Sequence, residues 1–167
     1  MKKTIAAFVT GFGAGVLKIV PIIKGLSCCL VIPAAAFFAL LLDQKANNNY
    51  AKIRVSKAIL FGLLTGLFAA VFGTSLDLII TYITKSNEVV TNLPQIQEML
   101  GGMPANSIVK EVIDIYAQIA KDITATGFSG LYAVFIFGGS LLTDPIFGMV
   151  GGLIGMQILN SKNIEKK

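Results

Sequence analysis

Long apolar stretches alternate with shorter polar links along this chain of 167 residues. The four longest apolar stretches cover residues 4–23, 25–42, 58–84 and 127–159. A helix needs about 20 consecutive apolar residues, rising 1.5 Å each, to cross a bilayer. The pattern therefore predicts an all-α, polytopic integral membrane protein with four transmembrane helices. We expect a single membrane domain over residues 1–167, in which the last two helices tilt or extend beyond the lipid.

The first two apolar stretches are joined by a short link that contains Pro21 and Gly25. Proline and glycine interrupt helices, so this link predicts a tight helical hairpin. The start of the chain, with Lys2 and Lys3 before an apolar run, also resembles a secretory signal peptide. More apolar residues follow directly after the small residues at 13–15. We therefore expect a first span that is retained.

The link over residues 85–126 is long and has helical patterns of its own. Pro94 predicts the start of a short helix that Gly101 and Gly102 end. From Ser107 to Thr124, apolar residues recur every three or four positions and charged residues occupy the opposite face. This pattern predicts an amphipathic helix along the membrane plane, within an outer loop.

Charge supports a membrane protein and predicts its orientation. Only 14% of the residues are charged, whereas soluble domains average about 25%. Nine of the fourteen lysine and arginine residues fall on the side of the two termini. The positive-inside rule therefore places both termini in the cytoplasm. The net charge of +5 is explained by this role, and we expect no nucleic-acid partner.

Glycines at four-residue spacing are the strongest local signal for helix packing, because small residues let helix backbones approach closely in lipid. The pairs are Gly11 with Gly15, Gly62 with Gly66, Gly148 with Gly152, and Gly151 with Gly155. Two interpretations remain open. The pairs pack the helices of this chain against each other, or they form a docking face for another membrane subunit.

Three charged residues lie within the apolar stretches and form a possible intramembrane ion or proton site: Lys18, Asp77 and Asp144. A charge at the centre of a transmembrane helix is costly and needs a partner, water or the interface. Lys18 and Asp77 fall toward the outer ends of their stretches, which allows a mutual pair or snorkelling. Thr143-Asp144-Pro145 also predicts a helix start, with Asp144 as the N-cap of a helix that begins at Pro145.

Motifs of enzymes are not found in the sequence. It has no histidine, no phosphate-binding glycine loop and no nucleophile elbow. The adjacent residues Cys28 and Cys29 lie in an apolar stretch, where cysteine behaves as a small hydrophobic residue. We therefore expect no catalytic residue, no cofactor and no metal site.

The glycine-rich first hairpin and the run from Asp144 to Gly155 resemble small four-span bacterial membrane proteins of uncharacterised function. This resemblance implies a topology and the inner (cell) membrane of a bacterium, but no activity. We expect a non-catalytic accessory or scaffold subunit of a larger membrane complex. Its partners would be the lipid bilayer and other membrane subunits, or a second copy of the chain. The alternative is a small channel or transporter that uses the intramembrane aspartates.

Overall fold

The computed structural model describes residues 2–101 and 107–164, and no strand occurs in these two ranges. The prediction of an all-α fold is confirmed. The elements are α1 (Lys2–Leu17), α2 (Pro21–Lys24), a π-helix (Ser27–Val31), α3 (Ile32–Ala46), α4 (Val55–Thr84), α5 (Glu88–Gly101), α6 (Ser107–Thr126) and α7 (Gly130–Ile164).

Three helical runs are long and apolar enough to cross a membrane: Cys28–Ala46, Val55–Thr84 and Gly130–Lys162. A fourth apolar helix, Thr4–Leu17, is shorter than the roughly 20 residues that a span needs. Several apolar helices of this length suggest a membrane protein, as the sequence predicts.

The first predicted span ends earlier than expected. Helix α1 stops at Leu17, and Val20 has an extended backbone with φ −69° and ψ 119° before Pro21 starts α2. The ring of a proline disfavours a helical conformation of the preceding residue, which explains the extended backbone of Val20. The candidate span in the second stretch instead continues past Leu42, to Ala46, and Asp43 within it is paired with Lys57.

The chain divides into two compact units. Unit 1 contains Met1–Leu76 and Phe137–Lys167, and unit 2 contains Asp77–Ile136. In unit 1, α1 packs against α3 and α4, and α7 packs against α3 and α4 as well. The four helices therefore form a closed ring.

Glycines set the contact between α1 and α4. A Cβ atom added at Gly11 would lie 2.7 Å from the carbonyl oxygen of Thr65, and one added at Gly15 would lie 2.8 Å from the backbone nitrogen of Gly73. The residue numbers of the contacting positions rise together along the two helices, so α1 and α4 run parallel. Edge-to-face pairs between Phe8 and Phe68 and between Phe12 and Phe72 fill the rest of this contact.

The contact between α4 and α7 is closer still. Gly62 lies against the backbone of Gly148, and a Cβ atom added at Gly66 would lie 2.6 Å from the Cα atom of Pro145. Here the residue numbers along α4 rise as those of the contacting residues in α7 fall, so α4 and α7 are antiparallel. The backbones come close enough for dispersion contacts between the two helices.

The contact between α3 and α7 completes the ring. A Cβ atom added at Gly151 would lie 2.6 Å from the carbonyl oxygen of Pro33, and one added at Gly155 would lie 3.0 Å from the Cα atom of Phe37. This register makes α3 and α7 parallel. The chain directions of α1, α3, α4 and α7 therefore alternate in sequence order.

Unit 2 contains α5 and α6 with the adjoining parts of α4 and α7. Its core is formed by Ile119, Ile123 and Tyr132. Helix α6 begins at Ser107 as predicted, and Ile119 and Ile123 of its apolar face are buried. Ile108, an apolar residue near the start of the same helix, is 67% exposed.

Helix α5 begins at Glu88, six residues before the predicted start at Pro94. The side chain of Asn87 accepts a hydrogen bond of 3.0 Å from the backbone N–H of Val90 and so caps the helix. Pro94 lies inside α5. At the end of α6, Gly127 has a φ of +83°, a left-handed conformation that ends a helix and favours glycine.

Candidate functional site

A buried ion pair joins α7 to the end of α1 in unit 1. The Nζ atom of Lys18 lies 2.5 Å from Oδ2 of Asp144. The Asp144 side chain has no exposed surface, and the Lys18 side chain is 14% exposed. Two of the three charges that the sequence indicates as a possible ion or proton site therefore meet, although 126 positions separate them.

Glycines of α4 provide the space for this pair. Gly66 lies against the backbone carbonyl of Asp144, and a Cβ atom added at Gly73 would lie 3.3 Å from Cδ of Lys18. A larger residue at Gly66 would push α7 away from α4, and one at Gly73 would press on the aliphatic stem of Lys18. The α4 sequence therefore positions both partners.

Asp144 does not act as the predicted N-cap. Helix α7 continues from Gly130 to Ile164 with Pro145 inside it, so no helix begins at Pro145. The carboxylate instead receives the Lys18 ammonium, and the Thr143 hydroxyl lies 3.5 Å from its Oδ1 atom. The ammonium neutralises the carboxylate, which backbone N–H groups alone cannot do. A buried carboxylate in an apolar bundle needs such a counter-charge, so the ion pair is favoured over a capping role.

Asp77, the third predicted charge, belongs to unit 2. Its Oδ2 atom accepts a hydrogen bond of 2.7 Å from the hydroxyl of Tyr132. Lys18, for which the sequence allowed a pair with Asp77 or snorkelling, forms an ion pair with Asp144. Of the three predicted charges, two therefore form an ion pair in unit 1, and the third accepts a hydrogen bond from a phenol in unit 2.

The eight glycines predicted for helix packing all lie in contacts inside unit 1. Each has backbone or side-chain atoms of a neighbouring helix where its Cβ atom would be. Gly13, Gly138 and Gly139, in contrast, have no atom of a neighbouring helix within 4 Å of that position. The glycines at four-residue spacing therefore lie in close helix contacts, whereas these three glycines do not.

An apolar cavity of about 590 Å³ lies between α1 and α3. Its lining includes Gly13, Ala14, Leu17, Leu30 and Ala34. The small side chains of glycine and alanine leave a groove in this part of the surface. In lipid, such grooves allow the backbone of another helix to approach closely. We call it the α1–α3 groove.

A second polar cluster, which the sequence analysis did not identify, joins the end of α3 to the start of α4. Oδ2 of the buried Asp43 lies 2.5 Å from Nζ of Lys57, and its Oδ1 accepts a hydrogen bond of 2.9 Å from Asn47. Lys57 also lies 5.6 Å from the ring centre of Phe61, within reach of a cation–π contact. The signal available in the sequence was the single acid that ends a long uncharged run.

Some buried polar atoms in unit 1 have no hydrogen-bond partner among the described residues. They include the hydroxyls of Thr65 and Thr74 in α4 and the Nε2 atom of Gln44 in α3. Within residues 2–101 and 107–164, no group of three or more histidine, cysteine or acidic residues is placed to hold a metal ion.

Comparison with known proteins found no matching family model, no matching curated protein and no matching solved structure.

Proposed function

We propose that this chain is a four-span, non-catalytic accessory or scaffold subunit of a larger complex in a bacterial cell membrane. The observation that carries the proposal is the ion pair of Lys18 with Asp144. The two charges neutralise each other, and Asp144 has no exposed surface from which to take up an ion. The pair therefore serves to hold α7 to the end of α1, as a buried structural contact does.

The alternating directions of the four ring helices support four crossings. Helix α1 has 16 residues, about 24 Å at 1.5 Å each, which is somewhat less than the roughly 30 Å of a bilayer core. It runs parallel to α4, a helix of 30 residues that is fully long enough to cross. A first span in this position puts both chain ends on one side, which the distribution of lysine and arginine favours as the cytoplasm.

Helix α6 would then lie on the outer side, along the membrane plane. Lys110 and Lys121 are balanced by Glu111, Asp114 and Asp122. Attraction to anionic lipids therefore contributes little, and its apolar face holds it in place.

The α1–α3 groove is where we place the partner, a transmembrane helix of another subunit. Because the glycines at four-residue spacing are used inside unit 1, Gly13 is the open glycine in the lining of this groove and leaves room for a close approach. A helix from a partner would cover the exposed side chains of Leu17 and Leu30, which are 45% and 61% exposed.

Photo-cross-linking in native membranes tests this role. A photoreactive residue at Leu17 should give one discrete adduct with another polypeptide. Gly13→Leu should abolish that adduct without unfolding the chain, because nothing in the fold occupies the space. Gly138→Leu, at an equally open position on α7, should leave it intact. Cross-linking to lipid alone, or an adduct unaffected by Gly13→Leu, would contradict the proposal.

The alternative function is transport, and a flux assay in liposomes distinguishes it from the scaffold role. The purified protein should carry no proton or cation flux, and Asp144→Asn should still fold. A flux that depends on pH or cations in the parent protein and disappears in a folded Asp144→Asn variant would overturn the scaffold proposal.

A further inference from the structure

A polar cavity of about 390 Å³ lies where the end of α3 meets the start of α4. Its lining includes Gln44, Asn49, Lys52, Arg54, Ser56 and Lys57. Amide, hydroxyl, ammonium and guanidinium groups can all donate hydrogen bonds. The cavity is therefore rich in donors, and the side chain of Asp43 is already engaged by Lys57 and Asn47.

The cavity has excess positive charge. The ammonium of Lys57 is neutralised by Asp43, whereas Lys52 and Arg54 have no ion pair among residues 2–101 and 107–164. Two positive charges therefore remain at the cavity. Arginine presents several N–H donors in a fixed plane that matches the oxygens of a phosphate.

Gln44 supplies an independent sign of a missing ligand. It lines the cavity, its side chain is 4% exposed, and its Nε2 atom donates to no partner within the described residues. A buried donor without an acceptor costs free energy, and native structures normally satisfy it. An anionic oxygen in the cavity would provide the acceptor.

The segment that carries the two free charges is held in place. Oδ1 of Asn160, on α7, accepts a hydrogen bond of 2.8 Å from the Ile53 N–H, and its Nδ2 donates one of 3.2 Å to the Ile53 carbonyl. Ile53 lies between Lys52 and Arg54 and is buried. The cavity is therefore formed before a ligand arrives, which lowers the entropy lost on binding.

We propose that this cavity binds a phosphate group through Lys52, Arg54 and Gln44. It lies at the ends of two candidate spans, Cys28–Ala46 and Val55–Thr84, where the headgroups of a bilayer begin. Basic pockets at the ends of transmembrane helices bind anionic lipid headgroups by this chemistry. The phosphate comes from an anionic phospholipid or from a soluble phosphate, and the two sources are separated by experiment.

The test uses the full chain, stripped of lipid in mild detergent. Phosphatidylglycerol is titrated in native mass spectrometry, and inorganic phosphate in isothermal calorimetry. Three variants are compared, each checked for helicity and a monodisperse elution profile. Lys52→Gln with Arg54→Gln removes the charges, and Gln44→Met removes the donor at similar volume. Lys45→Gln removes an exposed charge at the same end of α3 that does not line the cavity.

Phosphatidylglycerol should bind about fivefold more weakly for each of the two cavity charges removed. Gln44→Met should weaken it roughly tenfold, as expected for a lost hydrogen bond to a charged group. Lys45→Gln should have no effect. The same pattern with inorganic phosphate supports the site and assigns a soluble source. Folded cavity variants that bind both probes like the parent overturn the proposal. Equal weakening by Lys45→Gln does so as well, because attraction would then be general to the surface.

Discussion

Alanine at two glycines of the same helix should have clearly different effects on stability. A Cβ atom added at Gly152 would collide with the carbonyl oxygen of Ala58 and would lie 3.4 Å from the Cα atom of Gly62. A Cβ atom added at Gly139 meets nothing within 4 Å. Gly152→Ala therefore forces α4 and α7 apart, whereas Gly139→Ala changes only the backbone preference of α7.

The magnitude follows from comparing the two variants. Alanine favours a helix over glycine by about 1 kcal/mol, and this gain enters both variants. Overpacking a close contact costs about 1–3 kcal/mol and enters Gly152→Ala alone. The free energies of unfolding should therefore differ by about 1–3 kcal/mol, with Gly152→Ala the less stable.

The assay is a titration of the protein from mild detergent into sodium dodecyl sulfate, followed by circular dichroism. The midpoint should lie at lower denaturant for Gly152→Ala than for Gly139→Ala, whose midpoint should rise above that of the parent. Equal midpoints would refute the close contact of α4 with α7, and with it the assignment of these glycines to internal packing.

Two further predictions use the same titration. Lys18→Met leaves the fully buried Asp144 carboxylate without its counter-charge and should cost about 3–5 kcal/mol. Asp144→Asn should lower the free energy of unfolding by less, because the long Lys18 side chain can reach the interface. The variant with both substitutions should recover most of the stability lost in Lys18→Met. Equal losses in the two single variants, without recovery in the double variant, would contradict the ion pair. Gly127→Ala should cost at least about 1–2 kcal/mol, since φ is +83° and the Cβ atom would crowd the Tyr82 carbonyl, while Gly130→Ala should be neutral; the reverse order would contradict the left-handed turn.

The lengths of the apolar runs and the periodicity of residues 107–124 were enough to predict the helical class and the helices with strong local patterns. Residues 58–84 and Ser107–Thr124 match α4 and α6 within a few positions. Such patterns are local, and helix ends depend on single side chains that periodicity ignores. The cap provided by Asn87 explains why α5 begins before Pro94.

The sequence predicted which residues form the candidate site, but not which of them contact each other. The sequence identified Lys18 and Asp144 as charges that needed compensation, yet nothing local indicated that they compensate each other across 126 positions. The N-cap interpretation relied on a local signal at Pro145, and the long-range ion pair prevailed. The cavity at Gln44 was missed for the same reason, because its lining comes together only when α3 and α4 pack.

Cysteine accessibility in intact cells tests the four-span topology most directly. In a background without Cys28 and Cys29, single cysteines are placed at Thr4, Ser107 and Ser161, and a membrane-impermeant maleimide is applied from outside. Position 107 should react in intact cells, and positions 4 and 161 should react only after the membrane is opened. Reaction of positions 4 and 161 from opposite sides would contradict the four-span account, because an odd number of crossings would then separate them.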